Sequence, residues 1–151
     1  MMKLRVSPTG TQPQRLTVVA VSEDSSTDAR VHEFCRSLAR QLGPGRELVK
    51  HMWLLSELRI ARLCAIAADE AAGSELIIVS LHHGETLPME VKTWIELWVG
   101  QKGEQLRVLL ALFDPLYRGV SSSMQAYLRE VARKANIEFL AQTEEMPDDL
   151  A

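Results

Sequence analysis

Three short polar segments hold the side chains able to do chemistry. The first reads Ser22-Glu23-Asp24-Ser25-Ser26, the second His82-His83-Gly84-Glu85-Thr86 and the third Asp114-Pro115-Leu116-Tyr117-Arg118-Gly119. Adjacent acids such as Glu23 and Asp24 can hold a divalent cation. Hydroxyls such as Ser25 and Ser26 beside backbone N–H groups can cradle a phosphate, but here the two carboxylates repel one. His82 and His83 suit acid–base work or metal ligation, with Glu23, Asp24 or Asp114 to complete a set. Adjacent residues seldom point the same way, however, and no H-x-x-x-H spacing supports a metal. His32 and His51 have weaker claims. The catalytic candidates are therefore His82, His83 and, from a helix described below, Glu90. The ligand-binding candidates are Glu23, Asp24, Ser25, Ser26 and Asp114.

The elements that must position these segments alternate. Leu16–Ser22 (LTVVAVS) is β-branched and almost wholly apolar, as a strand covered on both faces is. Thr27–Leu42 carries Val31, Phe34, Cys35, Leu38 and Leu42 at helical spacing. Ser25 and Asp28 have capping-box character at its start, and Gly43-Pro44 ends it. Glu47–Leu55 is a second strand, interrupted by Lys50 and His51 and so placed at a sheet edge. Ser56 precedes an alanine-rich helix over Glu57–Ala72, closed by Gly73. Glu75–Leu81 (ELIIVSL) is a central third strand. Pro88 opens a helix reaching Val99, and Leu106–Phe113 (LRVLLALF) is the fourth strand. Ser123–Ala135 is a helix preceded by Ser122, with Gln125 at capping-box spacing. Asn136 ends it, before a short strand over Ile137–Gln142.

Such alternation implies a parallel sheet between helices, a three-layer α/β sandwich with right-handed crossovers. The five-stranded flavodoxin-like order 2-1-3-4-5 is favoured because strand two reads as an edge. The Rossmann-like order 3-2-1-4-5 is the alternative. In either, ligands bind beyond the carboxyl ends of the strands, where the three polar segments fall.

At 151 residues the chain fits one domain, expected over 16–143 between a flexible leader (1–15) and an acidic tail (144–151). The net charge of −3 argues against electrostatic binding to nucleic acid or anionic lipid. No signal-like or membrane-spanning apolar run occurs, so a cytoplasmic location is expected. Cys35 and Cys64 read as small core residues. Neither the Gly-rich dinucleotide fingerprint nor a P-loop is present, and no nucleotide, flavin or other cofactor is expected. Gly-x-Ser-x-Gly is absent around Ser80, and Ser121 to Ser123 are explained by helix capping.

With the preferred strand order and two acids after strand one, the chain resembles response-regulator receiver domains over Leu16–Gln142. In that family the acids corresponding to Glu23 and Asp24 hold Mg²⁺, and an Asp ending strand three accepts the phosphoryl group. This chain departs there: strand three ends Ile78-Val79-Ser80-Leu81, strand four runs into Phe113-Asp114-Pro115 where a hydroxyl belongs, and Ala141-Gln142-Thr143 stands where the family has a Lys. The resemblance thus implies a degenerate receiver that takes no phosphoryl group by that route. The stretch Ala65–Trp98 is also similar to small bacterial flavodoxin-like α/β proteins. It resembles, too, enzymes cleaving N-glycosidic bonds, which place a Glu on the helix after strand three. Glu90 and Glu96 occupy such positions, although a first-turn Glu90 also simply suits the helix dipole.

The helix from Pro88 to Val99 carries Val91, Trp94, Ile95, Leu97, Trp98 and Val99, more apolar surface than one core-facing stripe requires. Trp94, Leu97 and Trp98 are the candidate interface, for a homodimer or another protein partner; a wide core-facing stripe is the alternative. The leading expectation is a non-catalytic, receiver-like interaction or regulatory module. A small enzyme with its site at the ends of strands 1, 3 and 4 is the runner-up.

Overall fold

A computed structural model describes residues 14–82, 87–101, 107–114 and 122–142. The apolar runs form five parallel strands: β1 (Gln14–Ser22), β2 (Arg46–Leu54), β3 (Leu76–Ser80), β4 (Val108–Leu112) and β5 (Glu138–Gln142). Their order is β2-β1-β3-β4-β5, all neighbours parallel. This is the flavodoxin-like arrangement, and the Rossmann-like alternative is excluded because β1 lies between β2 and β3. Every residue of β3 is buried, as an inner strand covered on both faces requires. β2 is the edge, and its Lys50 and His51 are tolerated there. β1 begins at Gln14, drawing two residues of the expected leader into the sheet. The rest of that leader and the tail lie outside the described residues.

The helices are α1 (Ser25–Leu42), α2 (Leu55–Leu58), α3 (Ala61–Ala72), α4 (Met89–Trp98) and α5 (Ser122–Ala135). Crossing from β1 to β2 runs one way along the sheet and every later crossing runs the other. Right-handed connections therefore put α1 on one face and the later helices on the opposite face. The core divides accordingly. Val31 and Cys35 of α1 pack on Val18, Ala20, Ile78, Leu110 and Leu112. The larger cluster joins Cys64, Ala67 and Ala71 of α3, Val91, Trp94, Ile95 and Trp98 of α4, and Met124, Leu128 and Val131 of α5. Ala67, Ala68 and Ala71, all buried, let α3 lie close to the sheet. Both cysteines are free and buried.

Several local expectations are corrected. The N-cap of α1 is Asp24, in a capping box with Thr27 rather than one built on Ser25 and Asp28. The single helix expected over Glu57–Ala72 is two. Leu58 turns inward to the core, Ile60 is extended (φ −91°, ψ 116°), and α3 restarts at Ala61. Ser56 therefore lies inside α2 and caps nothing. Instead the Glu57 carboxylate takes the Leu54 N–H at 2.8 Å. Pro88 is the N-cap of α4 rather than its first residue. Asn136, with φ 59°, terminates α5 in the left-handed region as expected. Gly43 ends α1 at φ 82°, ψ 178°, a conformation open to glycine and strained for other residues. The expected cap at Ser122 involves a side chain outside the described set.

The surplus apolar surface expected on α4 is used within the chain. Trp94 and Trp98 are both 0% exposed, packed edge-to-face with ring centroids 5.7 Å apart. The wide stripe is core-facing, and neither indole is available to a partner. Of the three interface candidates only Leu97 reaches solvent, at 46%.

Arg107 is the one charged side chain among the buried described residues, 1% exposed. It stands immediately before β4, and its guanidinium donates to three carbonyls: Nε to Ser74 at 3.2 Å, Nη2 to Ala71 at 3.1 Å and Nη1 to Gln101 at 3.4 Å. The first two lie at the end of α3 and the third just past α4, so one side chain ties two helix ends together. The guanidinium also sits 5.9 Å from the Trp98 ring centroid, a cation–π contact. Burial pulls its pKa below the ordinary value, and the charge of Glu75 opposes that shift.

Candidate functional site at the strand tips

Parallel register brings three distant residues together. Ser22 is level with Ser80, and Ser80 with Leu112. Two residues further along each chain are Asp24, His82 and Asp114. Side chains alternate between faces with period two, so these three emerge on the same face as Ser22, Ser80 and Leu112, the face covered by α1.

There His82 is held from both sides. Its Nε2 lies 2.7 Å from Asp24 Oδ2, and its Nδ1 lies 3.0 and 3.1 Å from the two oxygens of Asp114. Its backbone N–H donates to Glu23 Oε1 at 3.0 Å. Arg30, one turn into α1, donates from Nη2 to Asp114 Oδ1 at 2.9 Å. The backbone closes the same seam. Glu23 N–H donates to the Ser80 carbonyl at 3.0 Å, and Asp114 N–H to the His82 carbonyl at 3.1 Å. The Ser80 hydroxyl donates to the Thr27 carbonyl.

Asp24 serves two elements at once. Its Oδ1 accepts the Ser26 and Thr27 N–H groups, each at 3.1 Å, and so caps α1, while Oδ2 faces His82. The Thr27 N–H above all, then the His82 ring, hold the Asp24 carboxyl down to about 2. The His82 pKa is raised, first by the hydrogen bond to Asp24 and against the cost of burial, with Asp114 adding to it. Burial pushes the Asp114 pKa up, but the bonds from Arg30 and His82 outweigh it and the net shift is downward. A carboxylate on each ring nitrogen requires both to donate, which is the imidazolium form.

The expected site residues divide plainly. Glu23, Asp24, His82 and Asp114 converge. Ser26 stands at their edge, its hydroxyl 3.2 Å from Asp24 Oδ1 and 3.5 Å from His82 Nε2. Ser25 is exposed in the first turn of α1. His83 lies outside the described residues. Glu90 is elsewhere, its Oε2 taking the Arg59 Nε–H at 2.7 Å. That bond lowers the Glu90 pKa, the opposite direction from a general acid working near neutrality. Glu96 is exposed. His32 and His51 pair with Asp28 and Glu70. Among the described residues no group of three or more His, Cys, Asp or Glu is placed to hold a metal ion.

Arg30 is the member that sequence reasoning missed. Nothing in the spacing of a lone Arg on an amphipathic helix marks it. The signal that could have found it is geometric: Asp24 caps α1 beside the strand tips, and helix side chains lean towards the N-terminus, so a long side chain in the second turn can reach back over those tips.

No protein-family model matches this chain, and no curated protein matches it. Among the described residues no helix is long and apolar enough to cross a membrane.

Proposed function

We propose that the chain is a non-catalytic interaction or regulatory module on a receiver-like scaffold, working in the cytoplasm through a protein partner or a second copy of itself. One observation carries this reading: His82 is clamped by a carboxylate on each ring nitrogen. An imidazolium with both N–H groups committed is neither a base nor a metal ligand. Glu23 and Asp24, the positions that resemble a receiver's Mg²⁺ ligands, are turned to the His82 backbone and ring instead. The clamp ties together the residues that follow β1, β3 and β4, namely Asp24, His82 and Asp114. Two buried, unpaired cysteines suit a reducing compartment.

The test is chemical. The purified chain, incubated with acetyl phosphate or phosphoramidate and Mg²⁺, is expected to show no phosphoryl adduct by intact mass and no heat with Mg²⁺ alone. A Mg²⁺-dependent adduct on the strand-tip residues would overturn the reading.

A second reading, a small enzyme with its site at the same rim, draws on one contact. Ser26 Oγ, His82 and Asp114 stand in the order of a Ser–His–Asp relay, with the serine 3.5 Å from Nε2. Asp24 holds that nitrogen at 2.7 Å, so the interaction reading expects no turnover of activated esters by the wild type or by Asp24→Asn. Ester hydrolysis abolished by Ser26→Ala would favour the enzyme.

A further inference from the structure

We infer that α3 is a self-association face, on which two copies of this chain pair antiparallel across a two-fold axis passing between Ala65 and Ile66. The surface carries none of the rim residues, and the inference stands whatever the rim does.

The outward stripe of α3 is Arg62, Ala65, Ile66 and Asp69, all exposed. The spacing i, i+3, i+4, i+7 places them on one line along the helix. Arg62 and Asp69 stand equally far from the midpoint between Ala65 and Ile66, and they are separated by about 10 Å at 1.5 Å per residue. An antiparallel copy related by a two-fold at that midpoint sets each Arg62 against the partner's Asp69. It also sets each Ala65 against the partner's Ile66. The stripe is thus self-complementary, as an isologous interface demands. A single-signed partner, acidic or basic, would match only half of it.

Three observations show that nothing among the described residues covers this face. First, neither Arg62 nor Asp69 has an ion-pair or hydrogen-bond partner among the described residues. Exposed charges elsewhere on the helices do find them, as Arg36 with Glu33 and Arg133 with Glu130 show. Second, Ile66 is 43% exposed. Of the five large hydrophobic side chains exposed among the described residues, Ile60, Ile66, Met89 and Leu97 belong to α3, its N-cap and α4, and only Leu140 lies elsewhere. Third, the Ala65 edge of the stripe opens into an apolar groove of about 550 Å³ between α3 and α4, lined by Leu58, Cys64, Met89 and Leu97. Small Ala65 lets a second helix approach closely, and the opposing Ile66 then stands at the lip of that groove. An apolar centre flanked by paired charges is the anatomy of a specific interface.

Light scattering coupled to size exclusion, and sedimentation of the full chain over a concentration series, test this. Wild type is expected to dimerise reversibly. Arg62→Asp places like charges opposite each other twice and should weaken the dimer about 100-fold. Asp69→Arg should do the same. The double variant Arg62→Asp/Asp69→Arg restores opposite charges in reversed order and should regain the dimer to within about tenfold. Far-ultraviolet circular dichroism confirms that each variant is folded, and the regain in the double variant cannot come from a misfolded chain. A wild type monomeric at every concentration overturns the inference, even if another protein then binds the face. So does a dimer indifferent to the single charge reversals, or a double variant that stays monomeric.

Discussion

Arg107→Ala is expected to destabilise the domain by about 3 kcal/mol, a loss on the scale of truncating a large core side chain. The guanidinium holds the carbonyls of Ala71, Ser74 and Gln101, and its removal takes a buried donor from each, although Ala71 keeps the Ser74 N–H at 3.1 Å. It also removes the cation beside the Trp98 ring and a buried aliphatic stem. Arg107→Met separates these contributions: the stem volume is kept and the donors are lost, so about two thirds of the effect should remain. Urea denaturation followed by tryptophan fluorescence reads both, because Trp94 and Trp98 lie in the core that Arg107 closes. For a domain of this size the alanine variant should melt roughly 6–12 °C lower. A loss below about 1 kcal/mol would mean that water replaces the guanidinium freely and that the two helix ends are not held by it.

The second large effect is a bell-shaped dependence on pH. His82→Ala is expected to cost about 1–2 kcal/mol at its maximum, and the cost should vary on both sides of a plateau. On the alkaline side the His82 pKa is raised by folding. Its contribution is complete below the ordinary value of 6.5 and is lost as pH rises through the folded value. On the acid side Asp24 is held down to about 2 from an ordinary 3.8. The part of its contribution owed to the His82 ring, second to that of the Thr27 N–H, is complete above 3.8 and is lost as pH falls towards 2. Asp114, also lowered, adds to the acid limb. The difference in urea midpoint between wild type and His82→Ala should therefore be widest between about pH 4 and 6.5 and narrow in both directions. A difference that stays flat across this range would show that packing, not charge, holds the imidazole.

Much of this architecture was legible in the residues. β-branched runs alternating with helical spacing are local signals, and Lys50 and His51 marked the edge strand because an inner strand has no room for them. The three polar segments fell at strand ends for the same reason. What local pattern does not carry is register. That Asp24, His82 and Asp114 are level follows from hydrogen bonding between strands far apart in the chain, and no spacing rule contains it. Arg30 and Arg107 were missed for a related reason: a cation reads as solvent-facing until the carboxylate or carbonyls that receive it are in place. The break at Arg59-Ile60 was hidden because residues 57 to 72 hold no Gly or Pro and are rich in Ala, Leu, Arg and Glu, and only the inward turn of Leu58 interrupts them. Trp94 and Trp98 looked excessive for one helix face because a sheet flanked by α3 and α5 takes more volume than a single stripe implies.

A charged imidazole fixed between two carboxylates holds the strand tips together, and nitrogen-15 NMR titration of His82 tests that most directly. Both ring nitrogens should be protonated on the acid side of the titration, with a midpoint above 6.5. In Asp24→Asn, which keeps the helix cap while removing the charge, the midpoint should fall. A His82 titrating at or below 6.5 and unmoved by Asp24→Asn would contradict the clamp and return the strand tips to the list of possible catalytic sites.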